Sequence, residues 1–538
     1  MKDVLIIGSG ISGLTAAITA AEGGARAILC SPCVSERAQS VMAAGGINAS
    51  TQTGDDTVAS HVEDTLRGGR DLGGRQAVEG LCARAPELLS WLESLGTVFT
   101  RDETGGIARR AFGGQSHDRT AFAGACTGKQ IVTALVGRAR ELESEGRILR
   151  RTGLRFCSAL ISGGRCTGAV FFVGDTDRTE TVCAHATVMA VGGQNRIFGK
   201  TTGSMLCDGA AVGQLFLQGV TVKNPEFVQY HPTTIETPQK RMLISEAARG
   251  EGGRLFYLDG EQRVYFMEDR FGPRGNLMPR DVVSKCIYNC KKQVYLDISF
   301  LGREHIRSRL QEVEELAARY LSLDVCRESI PVAPSVHFFM GGLAVDRNHR
   351  TDLPGLYAVG ECASMYHGAN RLGGNSLLAA VYSGRVAGED ILNRPENTPP
   401  CGIELDNTEI CIPAGKDRTC TPERFLAPLA EIMQENMGIT RTESGLRLGI
   451  SRVDELIAQC RQTSFSSDVP AYERFRVEPM LTLARAMLTC GEARRETRGA
   501  HMREDHPETR AEFARASLVR YDGGAYTVSY AGEDELCW

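Results

Sequence analysis

Asp3-Val4-Leu5-Ile6-Ile7-Gly8-Ser9-Gly10-Ile11-Ser12-Gly13-Leu14 is the stretch that decides the fold. An apolar, β-type run leads into a G-x-G-x-x-G loop, and alanine-rich residues 15–22 follow as a helix. A second apolar run at 25–30 reads as another strand. Strand, glycine loop, helix and strand within about 30 residues is the context in which this motif binds a dinucleotide. The glycines permit a tight turn, close approach of a pyrophosphate, and close packing of helix on strand. The acid expected at the end of the second strand is absent. Ser31 and Pro32 stand there, so ribose recognition departs from the simple pattern.

Working outward, residues 40–49 are small and glycine-rich (Ala43-Ala44-Gly45-Gly46-Ile47-Asn48), suited to wrapping a flat ring system or to a tight loop. Helices are expected at 76–92 and 120–142, with the loop Phe112-Gly113-Gly114-Gln115-Ser116 between them. Strands are expected at 153–161, 166–173 and 181–191. The last ends in Ala190-Val191-Gly192-Gly193, and two strand-to-glycine ends suit a two-nucleotide cofactor. The character changes between 224 and 340. Gln229-Tyr230-His231-Pro232-Thr233 reads as a histidine in a rigid turn, Ser245-Glu246-Ala247-Ala248-Arg249 sets charges among small residues, and Pro279-Arg280-Asp281 opens a helix. His337 lies in Ser335-Val336-His337-Phe338-Phe339. Strands return at 343–345 and 355–359. The glycine-rich loop 367–376 then carries Arg371 to the start of a helix expected over the apolar run from Leu377 to Val386. A helix N-terminus favours an anion, and arginine adds a planar fork for a carboxylate.

Helical periodicity dominates after 405, at 423–435, 446–463 and 470–497, and 517–538 reads as a small strand tail. The expected architecture is α/β: a doubly wound, Rossmann-like nucleotide-binding domain in two parts (1–223 and 341–404). An inserted α+β capping domain (224–340), a helical domain (405–515) and a C-terminal tail (516–538) complete it.

Composition narrows the class. The 538 residues exceed a single core. A net charge of −5 without a basic block argues against nucleic acid. No apolar run approaches the roughly 20 residues of a membrane helix, so direct membrane insertion is not expected. A strand starting at Val4 leaves no room for a signal peptide, which points to the cytoplasm. The 18 cysteines are scattered; Cys30-x-x-Cys33 has no second pair to complete a metal site, so free thiols and no metal are expected.

Several tracts together, HGANRLGGNSLL at 367–378, FGGQS at 112–116, QYHPTT at 229–234, SEAARGEGG at 245–253, PRDVV at 279–283 and HFFMGG at 337–342, carry a resemblance. The chain resembles the flavoprotein subunit of the succinate dehydrogenase/fumarate reductase family, which includes L-aspartate oxidase. The resemblance implies FAD and hydride transfer between flavin N5 and a C4 dicarboxylate. It implies cofactor contacts from Gly8, Gly10, Gly13, Ser31, Ala44, Gly45, Gly46, Gly192, Asp208, Glu361, Asn375, Ser376 and Leu377. His231, Ser245, His337 and Arg371 would clamp the carboxylates, with Phe112 beside them. Arg280 would donate the proton, connected outward through Glu246 and Arg249. An ordinary salt-bridge network is the plainer reading of those charges, and satisfied core residues that of the histidines.

Two departures matter. Gln39 holds the place where membrane-complex members carry a flavin-linking histidine, which implies noncovalent FAD. Phe112 stands where aspartate oxidases place an acid for the substrate ammonium, which favours fumarate or succinate; Ser245, in place of the more usual threonine, pulls toward aspartate. An L-aspartate oxidase or another enoate reductase stays open as an alternative. The chain has no cluster motif, so an iron–sulfur subunit or a diffusible electron donor is implied as partner. A peripheral place on the inner face of a membrane through such subunits is compatible with this.

Overall fold

The computed structural model describes residues 2–394, 420–532 and 535–537. The division expected at 404/405 lies outside them. Strand Asp3–Ile7 is the centre of a five-stranded parallel sheet in the order Leu356–Ala358, Ala186–Met189, Asp3–Ile7, Arg26–Ser31, Ile148–Thr152. All five residues of the central strand are buried, the condition under which an unbroken apolar run forms a parallel strand. Helix Ile11–Glu22 packs along Asn375–Asn393. It begins at Ile11 rather than Thr15, because the third glycine of the loop already lies inside the helix. A Cβ on Gly13 would sit 1.9 Å from the Gly8 carbonyl oxygen, so glycine there is a packing requirement.

Three local expectations fail for identifiable reasons. Residues 120–142 are not one helix. Thr120–Ala121 pairs with Ile47–Asn48 and Arg109–Arg110, and the helix runs over Thr127–Ser144. The run 181–191 divides between two sheets: Thr179–Cys183 lies antiparallel to Arg165–Val173, and Ala186–Met189 joins the parallel sheet. At the break the His185 Nδ1 accepts the Asp3 N–H at 3.0 Å. His231 lies in strand Val228–Glu236, not in a turn. The ladder to Ile330–Phe339 shifts register between His231 and Thr234, and Pro232 sits in that irregularity, where its missing N–H costs no ladder bond.

The inserted segment builds a six-stranded antiparallel sheet, Arg241–Leu243, Val228–Glu236, Ile330–Phe339, Val294–Asp297, Arg254–Asp259, Gln262–Val264. It has its own apolar cluster, including Ile244, Leu255, Val283, Leu296 and Ile330. Phe112 reaches this cluster from the nucleotide-binding side. Helices Glu423–Asn436, Glu443–Gln462 and Val477–Ala493 instead share the large cluster around the parallel sheet. Among the described residues no helix is long and apolar enough to cross a membrane, and no disulfide joins any two of their 16 cysteines.

The C-terminal stretch is more than a tail. Ala516–Asp522 and Ala525–Ala531 form a hairpin whose first strand pairs with Val222–Lys223, the strand that leads into the cap. Beside it the Glu226 carboxylate receives the Arg494 Nε at 2.6 Å and the Ser517 hydroxyl at 2.8 and 2.7 Å, with all three residues fully buried. Glu226→Ala takes from the buried Arg494 guanidinium the nearer of two carboxylates, leaving Glu496 at 3.1 Å, and takes the acceptor from the Ser517 hydroxyl. Loss of one partner of a buried pair costs up to about 3–5 kcal/mol, read as a lowered urea midpoint. An unchanged midpoint refutes the assignment.

Candidate active site

One cavity of about 820 Å³ runs from the first glycine loop to the cap, near the upper end of the range typical of cofactor and ligand sites. Gly8, Gly10 and Ser31 line one end, beside the N-terminus of helix Ile11–Glu22, where backbone N–H groups favour a phosphate. Asp208 also lines the cavity and accepts the Tyr472 hydroxyl at 2.8 Å. Ala44, Gly45, Gly46, Gly192, Glu361, Ser376 and Leu377 line its length. Phe112, His231, Ser245, Glu246, Arg280, His337 and Arg371 close the far end under the cap. The donor set fits a dinucleotide: a helix N-terminus, a tight glycine turn and a wall of small residues. At Gly8 the turn has φ +111°, and a Cβ would lie 2.2 Å from the Ala190 carbonyl oxygen.

The charged centre is built around Glu246. Arg280, first residue of helix Arg280–Cys290, donates to its Oε2 from Nε at 2.8 Å and Nη2 at 2.6 Å. The Gly113 N–H reaches Oε1 at 2.9 Å, and the Arg249 guanidinium lies 3.5 Å from the same oxygen. Burial alone would raise the Glu246 pKa. The charges of Arg280 and Arg249, with the hydrogen bonds from Arg280 and Gly113, outweigh it and hold the group below the ordinary glutamate value. Arg249 does not line the cavity. It is buried behind Glu246 and donates to the Asn276 carbonyl at 2.7 Å.

His231 and His337 lie with ring centroids 5.1 Å apart. Burial, then the positive charge of Arg280, pushes both well below the ordinary histidine pKa. Both are therefore neutral at physiological pH and serve as hydrogen-bonding groups, so the cationic character of the pocket comes from its arginines. His337 Nδ1 meets the Thr202 hydroxyl at 2.8 Å. Arg371 is nearly completely buried, 4.3 Å from the centroid of Phe338. His231 Nε2 and Arg371 Nε are buried without a hydrogen-bond partner among the described residues, the mark of a site built for a polar ligand.

Two further predicted cofactor residues face elsewhere. Gly13 packs helix on strand, as above. Asn375 does not line the cavity; its side chain accepts from Asn48 Nδ2 at 2.7 Å, meets His61 Nε2 at 3.1 Å and donates to Thr65 at 2.9 Å. Position next to a helix N-terminus does not fix a side chain's direction, and these buried partners take it inward. Burial raises the Glu361 carboxyl to about 7, moderated by the Phe339 N–H and by Arg371. His367 lines the cavity edge-on to Phe338. Glu251 pairs instead with Arg309 and His305 on the cap.

Three lining or bridging residues escaped the sequence reading. Gln229 accepts from Arg280 Nη1 at 3.1 Å and donates to the Arg371 carbonyl at 2.8 Å, joining the two arginine-bearing segments. Its i, i+2 relation to His231 on one strand was the available signal. Thr202 and Glu312 line the cavity through tertiary packing alone, with no local signal.

A family profile described as FAD binding domain matches residues 3–377, and one described as fumarate reductase flavoprotein C-term matches 427–534. The chain is 34% identical to the succinate dehydrogenase flavoprotein subunit of Bacillus subtilis, over 94% of this chain and 92% of that one. It is 33% identical to L-aspartate oxidase of Pseudomonas aeruginosa, over 96% and 98%. Quinol fumarate reductase FrdA of E. coli, solved as a variant, superposes with a TM-score of 0.90 at 29% identity, covering 100% of this chain and 97% of that one. Gly8→Val closes the first glycine turn. The variant is expected to purify with less than a tenth of the normal flavin per chain, measured by absorbance, and full flavin content overturns this placement.

Proposed function

This chain belongs to the FAD-dependent oxidoreductase family of succinate dehydrogenase, fumarate reductase and L-aspartate oxidase, and within it we propose a fumarate reductase or succinate dehydrogenase flavoprotein acting on a C4 dicarboxylate. One observation carries the reading. Arg280, held by Glu246, lines one cavity together with Arg371, two neutral histidines and Phe112, and that cavity continues to the nucleotide loop.

FAD, when bound, supplies or accepts the hydride. Gly8, Gly10, Ser31, Ala44, Gly45, Gly46, Gly192, Asp208, Glu361, Ser376 and Leu377 would hold it. Gln39 at the cavity wall offers no imidazole for a covalent link, so the attachment is noncovalent. Arg371 and His337 hold one substrate carboxylate, and His231 with Ser245 the other. A carboxylate gripped by fixed donors draws electron density from the double bond and favours hydride arrival. Arg280 passes a proton from its guanidinium to the neighbouring carbon. The free pKa of arginine is above about 12, so the deprotonated group is a strong base and takes a replacement proton, drawn from outside the site and relayed by Arg249 and the Glu246 carboxylate that contacts both arginines. Glu246, ionised between turnovers, stabilises the recharged guanidinium. Phe112 packs on the carbon skeleton and carries no charge for an ammonium ion, which favours an unsaturated or saturated diacid over aspartate. Electrons come from an iron–sulfur subunit or a diffusible donor, in keeping with relatives named as subunits.

Enzyme given reduced viologen is expected to bleach it with fumarate. Aspartate-dependent peroxide without fumarate turnover overturns the reading in favour of the oxidase. Arg280→Gln is expected to lower kcat by about 10²–10⁴-fold, the usual value of a positioned proton donor, with fumarate KM changed only a few-fold. Acid precipitation is expected to leave yellow flavin in the supernatant; flavin retained in the pellet refutes noncovalent attachment.

A further inference from the structure

We propose that Thr202 is a positioning residue of this site: its hydroxyl donates to His337 Nδ1 and so holds the single imidazole proton on Nε2, the donor that a substrate carboxylate requires. The inference rests on the C4-dicarboxylate reading above. Both residues line the cavity. The hydroxyl lies 2.8 Å from Nδ1, and Nε2 has no protein partner among the described residues.

The backbone ladder alone does not fix this ring. Between Val228–Glu236 and Ile330–Phe339 it pairs Gln229 with Phe338 and Tyr230 with Val336, which leaves His337 as the extra residue of a bulge. A bulge re-aims its side chain and leaves the residue outside the ladder. Thr202 supplies the missing tether. Its N–H donates to the Val336 carbonyl at 3.1 Å, one residue before the histidine. The adjoining Thr201 is anchored in turn: its hydroxyl donates to Asn195 at 3.1 Å, and its carbonyl accepts the Arg241 N–H at 3.2 Å. The Thr202 hydroxyl is therefore presented to the ring from a fixed point.

The distances give the direction of the bond. The hydroxyl has one hydrogen and two acceptors near it, Nδ1 at 2.8 Å and the Val336 carbonyl at 3.3 Å. O–H···O bonds span about 2.5–3.0 Å, so the carbonyl contact is long, and that oxygen already receives the Thr202 N–H. The hydrogen goes to Nδ1. Burial and the positive charges of Arg280 and Arg371 keep His337 neutral, so the ring carries one proton and only its place is open. With Nδ1 accepting, that place is Nε2. The opposite tautomer would turn a lone pair toward a carboxylate, which only accepts. His231 has no such lock. Its Nδ1 lies 3.3 Å from the Thr233 nitrogen and 3.2 Å from the Thr233 oxygen, a donor and an acceptor at equal reach.

The test is nitrogen NMR of the oxidised, flavin-loaded protein carrying isotope-labelled histidine, which separates a bare ring nitrogen from a protonated one. The His337 signals are identified by their loss in His337→Gln. Wild type is expected to show a bare Nδ1 and a protonated Nε2. Thr202→Val keeps the branched shape without the hydroxyl. It is expected to lose that fixed pattern and, by calorimetry at matched flavin content, to bind fumarate about tenfold more weakly, the scale of one lost hydrogen bond to a charged group. Thr202→Ser is expected to restore both. A merely structural Thr202 would weaken binding without moving the ring proton, so a Val variant with the wild-type ring pattern overturns the proposal. A wild type protonated on Nδ1, or a Ser variant as impaired as Val, overturns it too. Wild type that binds no fumarate overturns the dicarboxylate reading, while its nitrogen spectrum still decides the tautomer.

Discussion

A single buried carboxylate organises the cap end of the cavity. Glu246 draws Arg280 from one cap helix, Arg249 from the next turn of its own segment, and the Gly113 N–H from the nucleotide-binding side. Each cation alone would be costly to bury, and so would the acid. Together they satisfy one another, and the geometry fixes where Arg280 points. The same carboxylate explains why Gly113 and Gly373 carry no side chain: a Cβ on either would fall 2.7 or 3.0 Å from a Glu246 oxygen.

Around this centre the two halves of the site are coupled by packing as well as charge. Phe112 leaves the nucleotide-binding side to join the cap's apolar cluster, and its ring lies 3.1 Å from where a Cβ on Gly45 would sit. Gln229 spans from Arg280 to the backbone of Arg371. A cap seated by these contacts excludes water from the arginines, and exclusion of water strengthens every electrostatic interaction inside.

Much of this was legible before any coordinates. The unbroken apolar run 3–7 with its glycine loop specifies a buried parallel strand and its helix, because no other arrangement satisfies both the run and the turn. The tracts bearing Arg280, Glu246, His231, His337 and Arg371 lie far apart in sequence, and the structure brings them to one cavity end. What escaped depends on direction and tertiary placement. Pro232 read as a turn because a lone sequence does not show a register shift in the partner strand. Asn375 reads as a cofactor contact together with Ser376 and Leu377, which line the cavity, whereas His61 and Thr65, far away in sequence, hold its side chain elsewhere. Glu312 sits on a cap helix, Gln311–Leu321, whose placement along the cavity no local pattern encodes.

The strands that enter and leave the cap, Val222–Lys223 and Gly342–Ala344, are paired with each other, and the C-terminal hairpin extends that same sheet. Entry and exit thus form a common hinge pin, reinforced by the last part of the chain. The two connections of the cap therefore cannot part without breaking that ladder. The C-terminal hairpin thereby braces the root of the cap, so damage at positions 516–531 is felt where the cap is anchored rather than only at the surface.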